Sequence, residues 1–241
     1  MPYANSPIRE AVFDIRIDSL DINKTDFEAI LSKIVVSDYL HKHNLMSVKS
    51  NFTLQDTGFK LENKDAPSVT GVVFTNKTNN RKIQFRLDGF TYNILKPYLS
   101  WESHFNEFLT YWQIYNETLK PKNITRIATR FINRIEIPLE LRDFDDYIKN
   151  MPPIPICLKQ TYLNFFMQVT VPCPDNASVA ILTETIEEPQ KDKLPFILDI
   201  DVFQTNNIVK AELVRHFNGI RIIKNDIFEK CITDKTRELF K

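Results

Sequence analysis

The sequence predicts an α+β fold in which two β-α-β-β-β-α halves form a large, mostly antiparallel, curved sheet with helices on one face. Three observations lead there. Residues 8–119 and 126–240 present the same order of segments: a strand, a helix, three strands and a long helix. The strand-like segments alternate apolar and polar residues, as strands do when one face meets a core and the other meets water. Each half closes on an amphipathic stretch, that of the first half heavily aromatic. The halves share pattern more than residue identity, and the expectation is a single domain, 1–241, built of two pseudo-repeats.

In the first half, residues 8–18 place Ala11, Phe13, Ile15 and Ile17 on one side and Glu10, Val12, Asp14 and Arg16 on the other. Thr25 or Asp26 is a candidate cap for the next segment, whose stripe is Phe27, Ile30, Leu31 and Ile34. Strands are expected at 51–62, 68–76 and 81–95, the last two joined by a turn at Asn79-Asn80. Ser100 then caps a helix over 101–119 with Phe105, Phe108, Leu109, Trp112 and Tyr115 on its inner face.

In the second half, Thr129, Phe131, Asn133, Ile135 and Ile137 alternate with Arg130, Ile132, Arg134 and Glu136 until Pro138. A short helix is expected over 141–149, where Asp143, Asp145 and Asp146 suit a first turn. Pro152, Pro153 and Pro155 make an extended connector. Strands follow at 162–171, 178–187 and 196–203. A long helix from about residue 208 buries Phe217, Ile220, Ile223, Ile227 and Phe228, with a break near Gly219. Thr233 caps a last turn.

Composition narrows the chemistry. The chain is 43% hydrophobic and 26% charged, ordinary for a globular protein. Lys plus Arg and Asp plus Glu number 31 each, so the basic excess usual for a duplex binder is missing. Only four glycines are present, few for phosphate-cradling loops. Cys157, Cys173 and Cys231 form no CxxC pair and are expected to be free thiols. Cys173, between Pro172 and Pro174, has no base named for it by the sequence. His41 and His43 fall in a polar stretch read as a loop, and His104 and His216 fall at matching places on the two long helices, where shared packing is expected. There is no HExxH, GxSxG, Walker A or dinucleotide fingerprint. No apolar run approaches the roughly 20 residues of a membrane span, and the amino-terminal residues lack a signal-peptide pattern, so a cytoplasmic protein without membrane contact is expected.

With helices on one face, the other face collects the alternate positions. The candidate ligand- or partner-binding residues are Glu10, Asp14, Arg16, Arg86, Arg130, Arg134 and Glu136, with Gln84, Asp88, Gln168, Asp199 and Asp201 beside them. Arg130 and Arg134 are expected near Glu10 and Asp14 if equivalent strands meet at a pseudo-twofold axis. Three readings stand: a solvated face laced by cross-strand ion pairs, a binding surface whose arginines take a carboxylate or phosphate, and a catalytic cluster using Asp199 and Asp201 with a divalent ion. No catalytic, metal or cofactor residues are assigned.

Three segments carry a likeness: Pro7-Ile8-Arg9-Glu10-Ala11-Val12-Phe13, Arg130-Phe131-Ile132-Asn133-Arg134-Ile135-Glu136-Ile137-Pro138, and Phe228-Glu229-Lys230-Cys231-Ile232-Thr233-Asp234. Essentially end to end, the chain resembles a sporadically distributed, uncharacterised family of prokaryotic proteins. That resemblance implies an accessory, horizontally moved gene and points toward conflict systems such as phage defence or toxin neutralisation; it supplies no catalytic residues. In architecture alone, the repeat also resembles the saddle of TATA-binding proteins, which licenses no function. The expected function is a non-enzymatic binding module, with a protein as the partner. The alternatives are a small-molecule or nucleotide binder, nucleic acid on the sheet face, and a metal-dependent hydrolase or nuclease.

Overall fold

Alternation in the sequence becomes pairing in the computed structural model, which describes residues 3–18, 20, 22, 24–34, 36, 38–48, 50–55, 58–63, 67–140, 143–158, 162–175, 177–206 and 208–241. In order they form β1 (Ile8–Ile17), α1 (Lys24–Lys33), β2 (His41–Ser47), β3 (Ser50–Gln55), β4 (Gly58–Asn63), β5 (Ser68–Thr75), β6 (Arg81–Arg86), β7 (Gly89–Leu95), α2 (Trp101–Leu119), β8 (Ile124–Pro138), β9 (Phe166–Pro172), β10 (Ser178–Ile186), β11 (Lys193–Gln204), α3 (Leu213–Cys231) and α4 (Asp234–Glu238). Nine strands make one sheet in the order β2-β5-β6-β7-β1-β8-β11-β10-β9. Every neighbouring pair in it is antiparallel. β3 and β4 pair as a separate hairpin.

The core lies on one face of this sheet. Ala11, Phe13 and Ile15 of β1 are fully buried, as are Ile127 and Ile135 of β8. Phe13 meets Trp101, Phe105 and Phe108 of α2 and Phe217 of α3 at ring-centroid distances of 4.9–6.3 Å. Phe85 of β6 packs on Tyr115 of α2 and on Phe74 of β5, the residue over which Lys42 of β2 sits. Lys42 Nζ in turn donates to the Leu31 carbonyl of α1 at 2.7 Å. The three longer helices therefore cover the same face, and the other carries the polar positions.

Several expectations change. The stretch containing His41 and His43, read as a loop, is the edge strand β2, paired with β5. Its polar residues tolerate the ladder because one side of an edge strand stays wet. The single strand expected at 51–62 is the β3–β4 hairpin. The one expected at 81–95 folds back after Arg86 into β6 and β7. At that bend Gly89 has φ +152, and a Cβ there would collide with the Ile15 carbonyl oxygen of β1. Thr25 and Asp26 lie inside the first turn of α1 instead of capping it.

The helix expected over 141–149 is a single 3₁₀ turn, Phe144–Asp146, capped by Asp143; residues 141 and 142 lie outside the described ones. The backbone of this segment bonds elsewhere: Lys149 N–H donates to the Cys231 carbonyl and Thr233 N–H to the Tyr147 carbonyl, so the stretch docks on the end of α3. α3 runs unbroken through Gly219, where added side-chain atoms would meet open space. The Ser100 and Thr233 caps form as expected, accepting from the Ser103 and Thr236 N–H groups.

Candidate functional site

The helix-free face is organised around the β1–β8 seam. Pairing sets Asp14 opposite Thr91 of β7 and Ala128 of β8, and sets Arg130 between Val12 of β1 and Asp201 of β11. Asp14, only 7% exposed, gathers the charges. Its carboxylate accepts from Arg16 Nε at 3.1 Å, an Arg86 terminal nitrogen at 3.1 Å, an Arg126 terminal nitrogen at 3.2 Å and the Thr91 hydroxyl at 2.6 Å. Burial alone would raise this carboxyl; Arg86, the Thr91 hydrogen bond and Arg16 outweigh it and hold it below the ordinary carboxylate value. Asp88 anchors the outer side, pairing with Arg16 and with Arg86 Nε.

Arg126 carries this network across the seam. Its other terminal nitrogen reaches Asp201 at 3.1 Å, and its guanidinium stacks 4.6 Å from the centre of the Phe203 ring. Burial pushes the Asp201 carboxyl up despite Arg126 and Arg130. The Oδ1 of Asp201 is buried without a hydrogen-bond partner among the described residues. Arg130 holds Asp199 in a fork, with Nε at 2.9 and 3.1 Å and the terminal nitrogen at 2.5 Å. Arg134 engages Glu136 and reaches Glu187 at 2.9 Å and Gln190 at 3.0 Å, while Arg9 meets the same Glu187 at 2.8 Å. Glu10 accepts from Asn93 at 2.8 Å, and Asn93 accepts from Gln84 at 3.0 Å.

The seven residues singled out by the sequence thus share a face but form three groups. Asp14, Arg16 and Arg86 belong to one network. Arg130 pairs with Asp199, and Glu10, two residues along from Val12, acts on it only through its charge. Arg134 and Glu136 form the third with Glu187. The strand neighbours are those expected, but Arg130 and Arg134 turn away from β1 toward β11 and the end of β10. Arg126 is the member sequence reading missed. Its signal was available, since Arg126, Arg130 and Arg134 recur every fourth residue on one side of a single strand.

Other candidates resolve into packing. Asn133 donates to the Phe131 and Leu198 carbonyls at 3.3 and 3.0 Å, tying β8 to β11. His104 Nε2 accepts the Leu99 N–H at 3.1 Å and His216 Nε2 accepts the Val209 N–H at 3.2 Å, so both fasten the chain just ahead of their helices. Burial pushes His104 down to about 4, which keeps it neutral. The Cys173 thiol is pushed up by burial and by Asp175, against a nucleophilic role. All three cysteines are free, with Cys157 exposed.

Among the described residues no group of three or more His, Cys, Asp or Glu side chains is placed to hold a metal ion. Nor, among them, is any helix long and apolar enough to cross a membrane. Two hollows, of about 460 and 520 Å³, lie off the polar face, between α1 and β2 and between α1 and α2. In comparisons with known proteins, no family model matches the chain and no curated protein matches it.

Proposed function

We propose that the chain is a non-enzymatic binding module whose helix-free sheet face docks a protein partner. One observation carries this reading: the face is a lattice of charges already paired with one another. Arg16, Arg86, Arg126, Arg130 and Arg134 each hold a carboxylate, and Val12, Ile132, Ile181 and Phe203 lie half-buried among them. Such a surface is pre-ordered, near neutral and partly apolar, which suits another protein surface of mixed charge. A polyanion would have to displace several carboxylates before the arginines could serve its phosphates. A nucleotide or other small anion at Arg126 and Arg130 would have to release Asp201 and Asp199 first. A metal-dependent hydrolase built on those two aspartates meets the same obstacle.

The wider reading rests on pattern. From the β1–β8 seam each half runs outward in a similar way, its first strand central, the next at the edge, and its later sheet strands stepping back toward the seam, the first half having one more sheet strand and the separate β3–β4 hairpin. The matching fastenings by His104 and His216 support an ancestral duplication. The three motifs support membership of the sporadically distributed prokaryotic family, with an accessory role in a conflict system.

A photo-reactive residue placed at Val12 or Ile181 should cross-link one host protein. The same residue at Asn106, exposed on α2, should not. Arg130→Glu should abolish the product. Equal labelling from both positions, or a product indifferent to Arg130→Glu, overturns the reading.

A further inference from the structure

The two edges of the nine-stranded sheet are built differently. β2 carries His41, Lys42 and His43 and is interrupted by a bulge between Leu45 and Met46. Charge, bulges and proline are means by which edge strands avoid pairing with other chains. β9 has neither charge nor bulge, and its one proline, Pro172, is its last residue. It reads Phe166-Met167-Gln168-Val169-Thr170-Val171-Pro172, without a charged residue, and pairs with β10 in unbroken register. Phe166, Val169 and Val171 are 71%, 39% and 48% exposed. The imbalance extends to the strand count: β2, β5, β6, β7 and β1 stand on one side of the seam, and only β8, β11, β10 and β9 on the other.

The backbone of β9 has a definite phase. Cys173 N–H donates to the Ser178 carbonyl at 2.8 Å, which makes these two a hydrogen-bonded pair. Bonded pairs alternate along an antiparallel ladder. Val171, Val169 and Met167, opposite Ala180, Leu182 and Glu184, therefore spend their backbone groups on β10. Those of Phe166, Gln168 and Thr170 point to the outer edge, where no strand among the described residues pairs with them.

We infer that β9 pairs antiparallel with the β9 of a second copy about a twofold axis at Val169, joining two nine-stranded sheets into one. The strand is self-complementary in this register. Val169 meets its own copy, Met167 meets Val171, Gln168 meets Thr170 and Phe166 meets Pro172. Apolar side chains face apolar ones, the amide faces the hydroxyl, and no like charges are opposed. Gln168 and Thr170 become the mutually hydrogen-bonded pair, as their outward backbone groups require. A one-residue slip would oppose outward groups to inward ones. Pro172, which lacks an N–H, falls opposite Phe166 at the two ends of this ladder and leaves the central Gln168–Thr170 pairs intact, whereas centring on Thr170 would set it opposite Gln168, next to the axis. The contact is isologous and closes at two copies. It is separate from the polar face and does not depend on the function proposed above.

Sedimentation velocity on the full chain at micromolar concentration should return twice the 28.3 kDa chain mass. Val169→Lys sets two ammonium groups against each other across the axis, where facing Cβ atoms lie about 4.5–5.5 Å apart. The variant should sediment as a monomer with an unchanged far-UV spectrum, since Val169 is partly exposed in the single chain. In a Cys157→Ser background, Val169→Cys should form an intermolecular disulfide under mild oxidation and Thr170→Cys should not. A monomeric parent chain, a dimeric Val169→Lys chain, or equal cross-linking at the two cysteine positions overturns the inference.

Discussion

Glu184 and Lys224 show what single residues contribute, since both stand on the apolar side of their elements. Glu184 is 1% exposed on β10, its Oε2 without a hydrogen-bond partner among the described residues. Burial raises its pKa from 4.5 to about 7. Over that window the unfolded chain has lost a proton that the native chain keeps, so stability falls as pH rises and stays lowered above it. Lys224 of α3 is 8% exposed, with its Nζ 3.8 Å from the centre of the Phe131 ring. Burial, helped by Arg221, lowers its pKa from 10.5 to about 7. There the unfolded chain holds a proton that the native chain lacks, so stability climbs between 7 and 10.5. Glu184→Gln is expected to add on the order of 3 kcal/mol at pH 8 and little near pH 4.5. Lys224→Met, close in volume, should stabilise by a few kcal/mol at pH 6 and little at pH 10. Urea midpoints across pH test both; gains that do not vary with pH would show that neither ionisation matters. Alternation along β10 does not mark the side of Glu184 as the buried one, because Val179 and Ile181 stand on the other side.

Among the elements, β1 does most to join the molecule. Its inner side chains pack beneath both long helices while its outer ones feed the ion-pair lattice. Phe13 is fully buried and touches Tyr92, Phe131 and rings from α2 and α3. Phe13→Ala should cost about 3–5 kcal/mol in urea denaturation, the usual range for removing a buried ring; a loss below about 1 kcal/mol would mean the site collapses around the gap. The elements also show where sequence reading succeeds. Strands buried on one side, such as β1 and β8, were legible because the core imposes their alternation. The edge strand β2 was not, because half of its surroundings is water and its composition stays polar. The fold-back through Leu87 and Asp88 into Gly89 carried an Asp-Gly turn signal that the flanking alternation obscured. The acidic stretch at 143–146 looked helical, but its backbone groups found partners at the end of α3 instead.

For the whole molecule, the seam between β1 and β8 has a mechanical consequence. The halves share one ladder, with Ile8–Ile17 paired along Ile124–Asn133 in a register that shifts only near its two ends, and Phe13 ties α2 to α3. Neither half can lose its strands without exposing the other's core, so unfolding should be one cooperative transition. Both tryptophans, Trp101 and Trp112, lie on α2, so their fluorescence reports the first half, whereas far-UV circular dichroism reports the chain. The two denaturation curves are expected to coincide; separated midpoints would show that the halves unfold independently. The candidate site was legible to the same partial degree as the fold. Which residues face away from the helices followed from alternation, but which arginine holds which carboxylate did not. Arg130 chooses Asp199 over Glu10 because β11 brings a buried acceptor within reach of its fork.

Already legible in the chain were the class of fold, the polar and apolar sides of the central strands, the caps at Ser100 and Thr233, and the membership of the polar face apart from Arg126. These are properties of periodicity and local hydrogen bonding, which act over a few residues and leave their mark in composition. Tertiary structure alone decided the strand order, the network around Asp14, the burial of Glu184 and Lys224, and the contrast between the guarded edge at β2 and the bare one at β9. Each depends on segments far apart in the chain arriving side by side, and pairing between distant strands is set by the packing of the whole core, not by the residues of either strand alone.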